Sequence, residues 1–311
     1  MTVSFQPDSL RASLLPLAAR QPLSSQALAY RRFYRLGAPT HVLQSWLGRF
    51  NVGGLEIVAQ VWIPQRPVAT LVVMHGFYDH MGLYRHVIEW ALSRHFAVIS
   101  CDLPGHGLSA GPRAAIDDFA DYQQVLSALL VEAGQLGLPQ PWHLYGQSTG
   151  GAIVLDHLLY AGVNSPAQGE TILMAPLVRP QAWLWSQLSY RLLKPFVSGI
   201  ERRFSENTND PAFMPFLQSD PLQPTRLPTA WVGALVKWVK YIEAAPASPR
   251  SPLIIQGDQD MTVDWQHNLA ILRSKFAEPK ILMVPAARHH LANELPEIRH
   301  AYFTFLDTHI P

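Results

Sequence analysis

The chain has 311 residues, 48% hydrophobic and 15% charged, which is enough to bury a sizeable core in one large domain carrying an insertion. Its 24 Lys and Arg nearly cancel its 23 Asp and Glu, and no run of like charges occurs, so nucleic acid is not an expected partner. Cys101 is the single cysteine, which excludes an internal disulfide, and no run of 18 predominantly apolar residues is free of charge and proline, which argues against a membrane span.

Residues 1–45 read as an N-terminal extension with a short helix around Leu10 to Arg20 and no chemical motif. Asp8, Arg11 and Pro16 interrupt its apolar stretch and no positive cluster precedes it, unlike an export signal, so a soluble cytoplasmic protein is expected. From about residue 49, short apolar, β-branched runs recur: Glu56–Ile63, Thr70–Met74, Ala97–Cys101, Trp142–Tyr145, Thr171–Met174, Leu253–Gln256 and Lys280–Val284. Helical spacing fills Tyr84–Arg94, Ile116–Leu136, Gly150–Tyr160 and Trp265–Phe276, and Leu295–His309 reads as a closing helix. Strands alternating with helices predict an α/β class with a mostly parallel sheet. Leu71-Val72-Val73-Met74 is apolar at every position, as a strand covered on both faces requires.

Between Ala175 and Pro252 the alternation stops. No strand-like run is found there, but prolines, tryptophans and two apolar stripes are. Trp185, Leu188, Leu192 and Phe196 form one; Trp231, Leu235, Trp238 and Ile242 form the other, with Thr229 as a candidate N-cap. Residues 46–176 and 251–311 therefore read as the core, and 177–250 as a helical cap inserted over one end of the sheet. Most of both stripes is expected to pack the cap onto that core.

Gly-x-Ser-x-Gly occurs twice, at Gly146–Gly150 and at Gly107–Gly111. A nucleophile elbow needs a strand before its serine, a helix after it and small flanking residues. Ser148 has all three; Ser109 is followed by Gly111-Pro112-Arg113 and reads as a loop residue. A serine hydroxyl needs a histidine to take its proton and a carboxylate to orient that histidine. Downstream and in that order, one strand ends at Gly257-Asp258-Gln259-Asp260 and another at Arg288-His289-His290. Asp260 is preferred because Asp258 sits at the strand end, where it can fix the turn, while Asp264 suits the N-cap of the next helix. Either histidine could serve. Donors for a developing oxyanion would be the backbone N–H of Thr149, after the serine, and of Phe77, in the loop His75–His80. His75, His80 and His86 are spaced unlike metal ligands and are assigned structural roles; neither metal nor cofactor is expected. Cys101 reads as a small buried hydrophobe.

Taken together, these segments resemble the monoacylglycerol lipase and lysophospholipase branch of the α/β-hydrolase superfamily. The likeness rests on His75–Tyr84, Asp102–Arg113, Gly146–Gly151, Gly257–Asp260 and Arg288–Glu294. It implies the α/β-hydrolase fold, with Ser148, Asp260 and His289 as the catalytic residues, His289 being selected by its five-residue spacing to Glu294. The Asp220-Pro221 step is similar to one in the family's cap. The chain departs from the family at Asp79, Gln147 and Thr149, where glutamate, histidine and an apolar residue are usual. The resemblance and the aromatic cap imply a serine esterase acting on single-chain lipid esters, monoacylglycerols or lysophospholipids, with outer cap residues as candidates for membrane or micelle contact. The same catalytic residues would serve a thioesterase or acyltransferase, and a non-catalytic ligand binder could use this fold.

Overall fold

The structure, a computed structural model, describes residues 5–36 and 42–310. Helix α1 (Pro7–Ser13) overlaps the start of the short helix predicted around Leu10 to Arg20, α2 (Ser25–Phe33) lies beyond it, and both precede the first strands, β1 (Val42–Val52) and β2 (Leu55–Pro64). β1 begins before residue 45, the expected end of the extension. The alternation then follows as β3 (Ala69–Met74), α3 (Arg85–Ser93), β4 (Phe96–Cys101), α4 (Ala120–Gln135), β5 (Trp142–Gln147), α5 (Thr149–Tyr160) and β6 (Thr171–Met174). Next come α6 (Trp183–Leu193), β7 (Gly199–Glu201), α7 (Phe213–Ser219), β8 (Arg226–Pro228) and α8 (Thr229–Ala244). The chain finishes with β9 (Leu253–Gly257), α9 (Trp265–Lys275), β10 (Lys280–Val284) and α10 (Pro296–His309).

Eight strands form one sheet in the order β1-β2-β4-β3-β5-β6-β9-β10. β2 runs antiparallel to both its neighbours and every other pairing is parallel. Strand periodicity explains the two cores: Leu71 and Val73 join one apolar cluster with Ile88 and Tyr302, while Val72 and Met74 join the other with Leu129 and Ile153. All six β3 residues are buried, as expected for a central strand with helices on both faces.

Residues between β6 and β9 depart from the sequence reading in three ways. β7 and β8 make a three-residue antiparallel ribbon where no strand is expected. Thr229 begins α8 instead of capping it; its hydroxyl donates to the Val197 carbonyl at 3.2 Å. Finally, the two stripes diverge. Trp231, Leu235, Trp238 and Ile242 are buried, but Trp185, Leu192 and Phe196 are 71%, 63% and 82% exposed. The expectation that most of both stripes packs inward fails for the stripe of α6 and the turn after it; α6 neighbours α8, and its outer face is uncovered among the described residues.

The N-terminal helices are tied to the rest by polar contacts. Arg11 donates to the Gly107 and Leu108 carbonyls at 3.0 and 3.1 Å. The Tyr34 hydroxyl donates to one Asp220 oxygen at 2.5 Å, and His80 Nε2 lies 2.8 Å from the other. All three side chains are buried. Burial alone would lower the His80 pKa, but the Asp220 charge outweighs it and raises it. No helix among the described residues is long and apolar enough to cross a membrane.

Candidate active site

Ser148 sits between β5 and α5 with φ +54° and ψ −115°, a conformation costing a non-glycine residue about 1–3 kcal/mol. The surrounding backbone holds it there. Ser148 N–H donates to the Met174 carbonyl at 2.9 Å, and its own carbonyl accepts from Ala152 and Leu177 N–H at 2.9 and 3.1 Å. The flanking glycines are steric necessities: a Cβ on Gly146 would lie 2.2 Å from the Gly150 carbonyl oxygen, and one on Gly150 would lie 2.1 Å from that of Met74. Ser109 lies elsewhere, in the loop after β4, donating to the Asp102 carbonyl at 2.6 Å and accepting from Val58 N–H at 2.9 Å.

The loops after β9 and β10 bring Asp260 and His289 to Ser148. His289 Nε2 is 2.9 Å from Ser148 Oγ, and His289 Nδ1 is 2.7 Å from Asp260 Oδ2. Asp260 also accepts from Gln256 Nε2 at 3.0 Å and from Thr262 and Val263 N–H at 2.8 and 3.2 Å, so its orientation is fixed from both oxygens. Burial opposes its ionisation, but the His289 charge and these donors hold its carboxyl below the usual range. For His289 burial acts downward, and the Asp260 carboxylate outweighs it, raising the imidazole above its usual value of 6.5. Asp258 takes no part: its carboxylate accepts from Ala286 N–H at 2.8 Å and shapes the β10 loop. Asp264 caps α9 by accepting from His267 N–H.

His290 faces another way. Its Nε2 lies 3.1 Å from Asp79 Oδ2, which also accepts from the Tyr84 hydroxyl at 2.8 Å, while that hydroxyl accepts from Gly76 N–H at 2.9 Å. The departure at Asp79 thus lies in a buried network joining the loop after β3 to the loop carrying His289. Glu294 secures that second loop by accepting from Arg288 and Asn209 N–H at 2.8 and 3.0 Å. Gln147, another departure, accepts from Ala292 N–H at 3.0 Å. Sequence reasoning gave Tyr84 no role and Gln147 none beyond flanking the serine; a polar side chain beside the nucleophile was the available signal.

Phe77 and Thr149 both border the cavity above Ser148, and among the described residues neither backbone N–H has a protein acceptor. Gly76 makes room for the Asp79 carboxylate, since a Cβ there would lie 2.9 Å from Asp79 Oδ2. His75 is a structural histidine: Nε2 accepts from Leu103 N–H at 2.8 Å, so the proton is on Nδ1, 2.7 Å from the Gly76 carbonyl. Burial keeps it neutral.

The cavity measures about 290 Å³. Trp231 closes one side, stacked on Phe77 with ring centroids 3.8 Å apart. Beyond Trp231, Pro180 and Leu227 lies a second, mostly apolar space of about 360 Å³ beneath α6, bordered by Trp183, Tyr190 and Leu193.

Residues 65–296 match the family model described as serine aminopeptidase, S33 (hydrolase 4). The chain belongs to that family. It lies on the monoacylglycerol lipase-like branch of the α/β-hydrolases and is a carboxylic ester hydrolase. It is 26% identical over 254 residues to a monoacylglycerol lipase of Mycolicibacterium smegmatis, covering 78% of this chain and 89% of that protein. With the monoglyceride lipase of Homo sapiens it shares 28% identity over 265 residues, covering 81% and 86% respectively. A soluble variant of the Saccharomyces cerevisiae monoglyceride lipase, solved with a substrate analogue, superposes with a TM-score of 0.71 at 21% identity, covering 85% of this chain and 95% of that one.

Proposed function

We propose that this hydrolase cleaves single-chain lipid esters, monoacylglycerols or lysophospholipids, through an acyl-enzyme on Ser148. The observation that carries the mechanism is the hydrogen-bonded relay from Ser148 Oγ through both nitrogens of His289 to Asp260. In this reading Ser148 Oγ attacks the ester carbonyl as His289 Nε2 takes its proton, and Asp260 stabilises the imidazolium. The Phe77 and Thr149 N–H groups receive the developing oxyanion; losing one such donor typically costs about 10²–10³ in rate. Collapse expels the alcohol, protonated by His289, and water then releases the acid by the same route.

Segment 177–250 is read as the cap over this site. The cavity's aromatic wall and the apolar space beyond Trp231 suit one acyl chain. The exposed side chains of Trp185, Leu192 and Phe196 support peripheral contact with a membrane or micelle by an otherwise cytoplasmic protein.

A fluorophosphonate probe should label the wild type and leave Ser148→Ala unlabelled, and kcat of that variant should fall by several orders of magnitude, on the order of 10⁶ in the best-studied case. A loss below about tenfold would remove Ser148 from the mechanism. A lipid-ester series confined to acetyl-sized substrates would remove the lipid reading. Because the base must be neutral, kcat/KM should fall as pH drops through the raised His289 pKa; a flat profile between pH about 5 and about 8 contradicts that role.

A further inference from the structure

The cavity above Ser148 contains a cation that hydrolysis of a neutral ester does not need. Arg202, in the loop after β7, forms part of its wall. Its guanidinium carbon lies 4.0 Å from the centroid of the Tyr78 ring and 4.3 Å from that of Phe204, so the group is held against two aromatic rings. In its plane, Nη1 donates to Gln223 Oε1 at 2.7 Å and to the Pro224 carbonyl at 3.2 Å. Nε and Nη2 have no acceptor among the described residues. These two atoms form the edge whose parallel N–H groups match two oxygens of a carboxylate or phosphate.

The surrounding charges leave this edge free. Asp79 and Asp220 are the carboxylates whose fields reach Arg202, but Asp79 is engaged by His290 and Tyr84, and Asp220 by His80 and Tyr34. Neither comes within ion-pair distance of Arg202, and Arg203, next in sequence, adds a second positive charge to the cavity wall. A guanidinium packed against two rings and fixed at one end has little conformational freedom left to lose when it binds an anion. Its position beside Tyr78, one residue from Phe77, puts it in the compartment where the scissile ester must lie.

We propose that Arg202 is a specificity-determining residue that receives an anionic oxygen group of the substrate, so that the preferred esters carry a phosphate or carboxylate. This inference rests on the esterase reading above and narrows it. The anion has two chemical sources: a phosphate on the alcohol part, as in a monoacylglycerol phosphate, or a carboxylate at the far end of the acyl chain.

Binding is tested on the full chain by calorimetry with octyl phosphate and octanol. The wild type should bind octyl phosphate about tenfold or more tightly than octanol, Arg202→Gln should bring the two affinities together, and Arg202→Lys should restore part of the difference. Hydrolysis then identifies the source. A monoacylglycerol is compared with its phosphate, and a fatty-acid methyl ester with the half-methyl ester of a dicarboxylic acid. One anionic member should exceed its neutral counterpart by about tenfold in kcat/KM, and Arg202→Gln should collapse that ratio.

Equal wild-type affinities for octyl phosphate and octanol would overturn the proposal even if Arg202→Gln does not fold. So would a variant that weakens both ligands alike, the outcome of a purely structural clamp between Tyr78, Phe204 and Gln223. Phosphate preference without hydrolysis of any ester would sink the esterase reading and leave the anion site standing. Hydrolysis of neutral esters with no preference for either anionic ester would do the reverse.

Discussion

Helices α6 and α8 both lie between β6 and β9 and carry apolar residues at helical spacing, yet they end in opposite surroundings. α8 has a partner beneath it: Trp238 stacks on Phe119 of the loop before α4 at 4.8 Å, and its indole N–H donates to Asp156 of α5 at 2.8 Å. α6 lies against α8, so the layer that could have covered its stripe is already one helix further in. Periodicity identifies which face of a helix is apolar, whereas the order of layers decides whether that face meets protein. An apolar stripe between β6 and β9 therefore has two outcomes: that of α8 packs onto the core, and that of α6 stays exposed.

The largest test of this contrast is a pair of truncations. Trp238→Ala should cost about 3–5 kcal/mol, because it empties a packed site and strips a partner from Asp156. Trp185→Ala, removing a side chain 71% exposed, should stay within about 0.5 kcal/mol. Denaturant titration measures both, and similar costs would erase the distinction.

The anchor has a pH signature. Burial pushes the Asp156 carboxyl up to about 6, partly offset by the Trp238 hydrogen bond. A carboxyl whose pKa is higher folded than unfolded stabilises fully below the unfolded value, and that contribution is lost as pH rises through about 6. Asp156→Asn keeps an acceptor for Trp238 without the buried charge. Relative to wild type it should gain about 2 kcal/mol of stability between pH about 4 and about 7, read from unfolding midpoints across pH. An unchanged difference across that range would show that Asp156 titrates normally.

The smallest effect concerns the outer stripe. Replacing Trp185, Leu192 and Phe196 together by serine should lower the ratio of turnover on vesicle-borne ester to turnover on a soluble ester by about tenfold. An unchanged ratio, or unchanged sedimentation with vesicles, would leave the exposed stripe without that role.

The distribution of what was legible follows from where each signal resides. That Ser148, Asp260 and His289 would meet was readable because each is announced locally: a glycine-flanked elbow, a strand end, a second strand end, in a fixed order. The central strands were readable because burial on both faces leaves nearly continuous apolar runs, as in Leu71–Met74. β1 escaped because it is an edge strand pairing with β2 alone, and Gln44, Ser45, Gly48 and Arg49 interrupt its apolar pattern. β7 and β8 escaped because three residues are too few for a period to show. The choice between His289 and His290 was closed by family spacing, since two adjacent histidines differ only in the carboxylate each meets: Asp260, 29 positions away from one, and Asp79, far earlier in the chain, for the other. The setting of Arg202 was hidden for the same reason, because Tyr78 and Gln223 reach it from separate stretches of chain.

The buried carboxylate of Asp220 bears on how such enzymes diversify. It is gripped by Tyr34 of the N-terminal helical region and by His80 from the loop after β3, so the stretch between β6 and β9 is not a self-contained cassette. A chimera that exchanges residues 177–250 between relatives while leaving the N-terminal helices behind would bring in a carboxylate without its phenol, or strand a phenol without its carboxylate. Recombination that changes substrate range through this segment should therefore succeed when the first 36 residues travel with it.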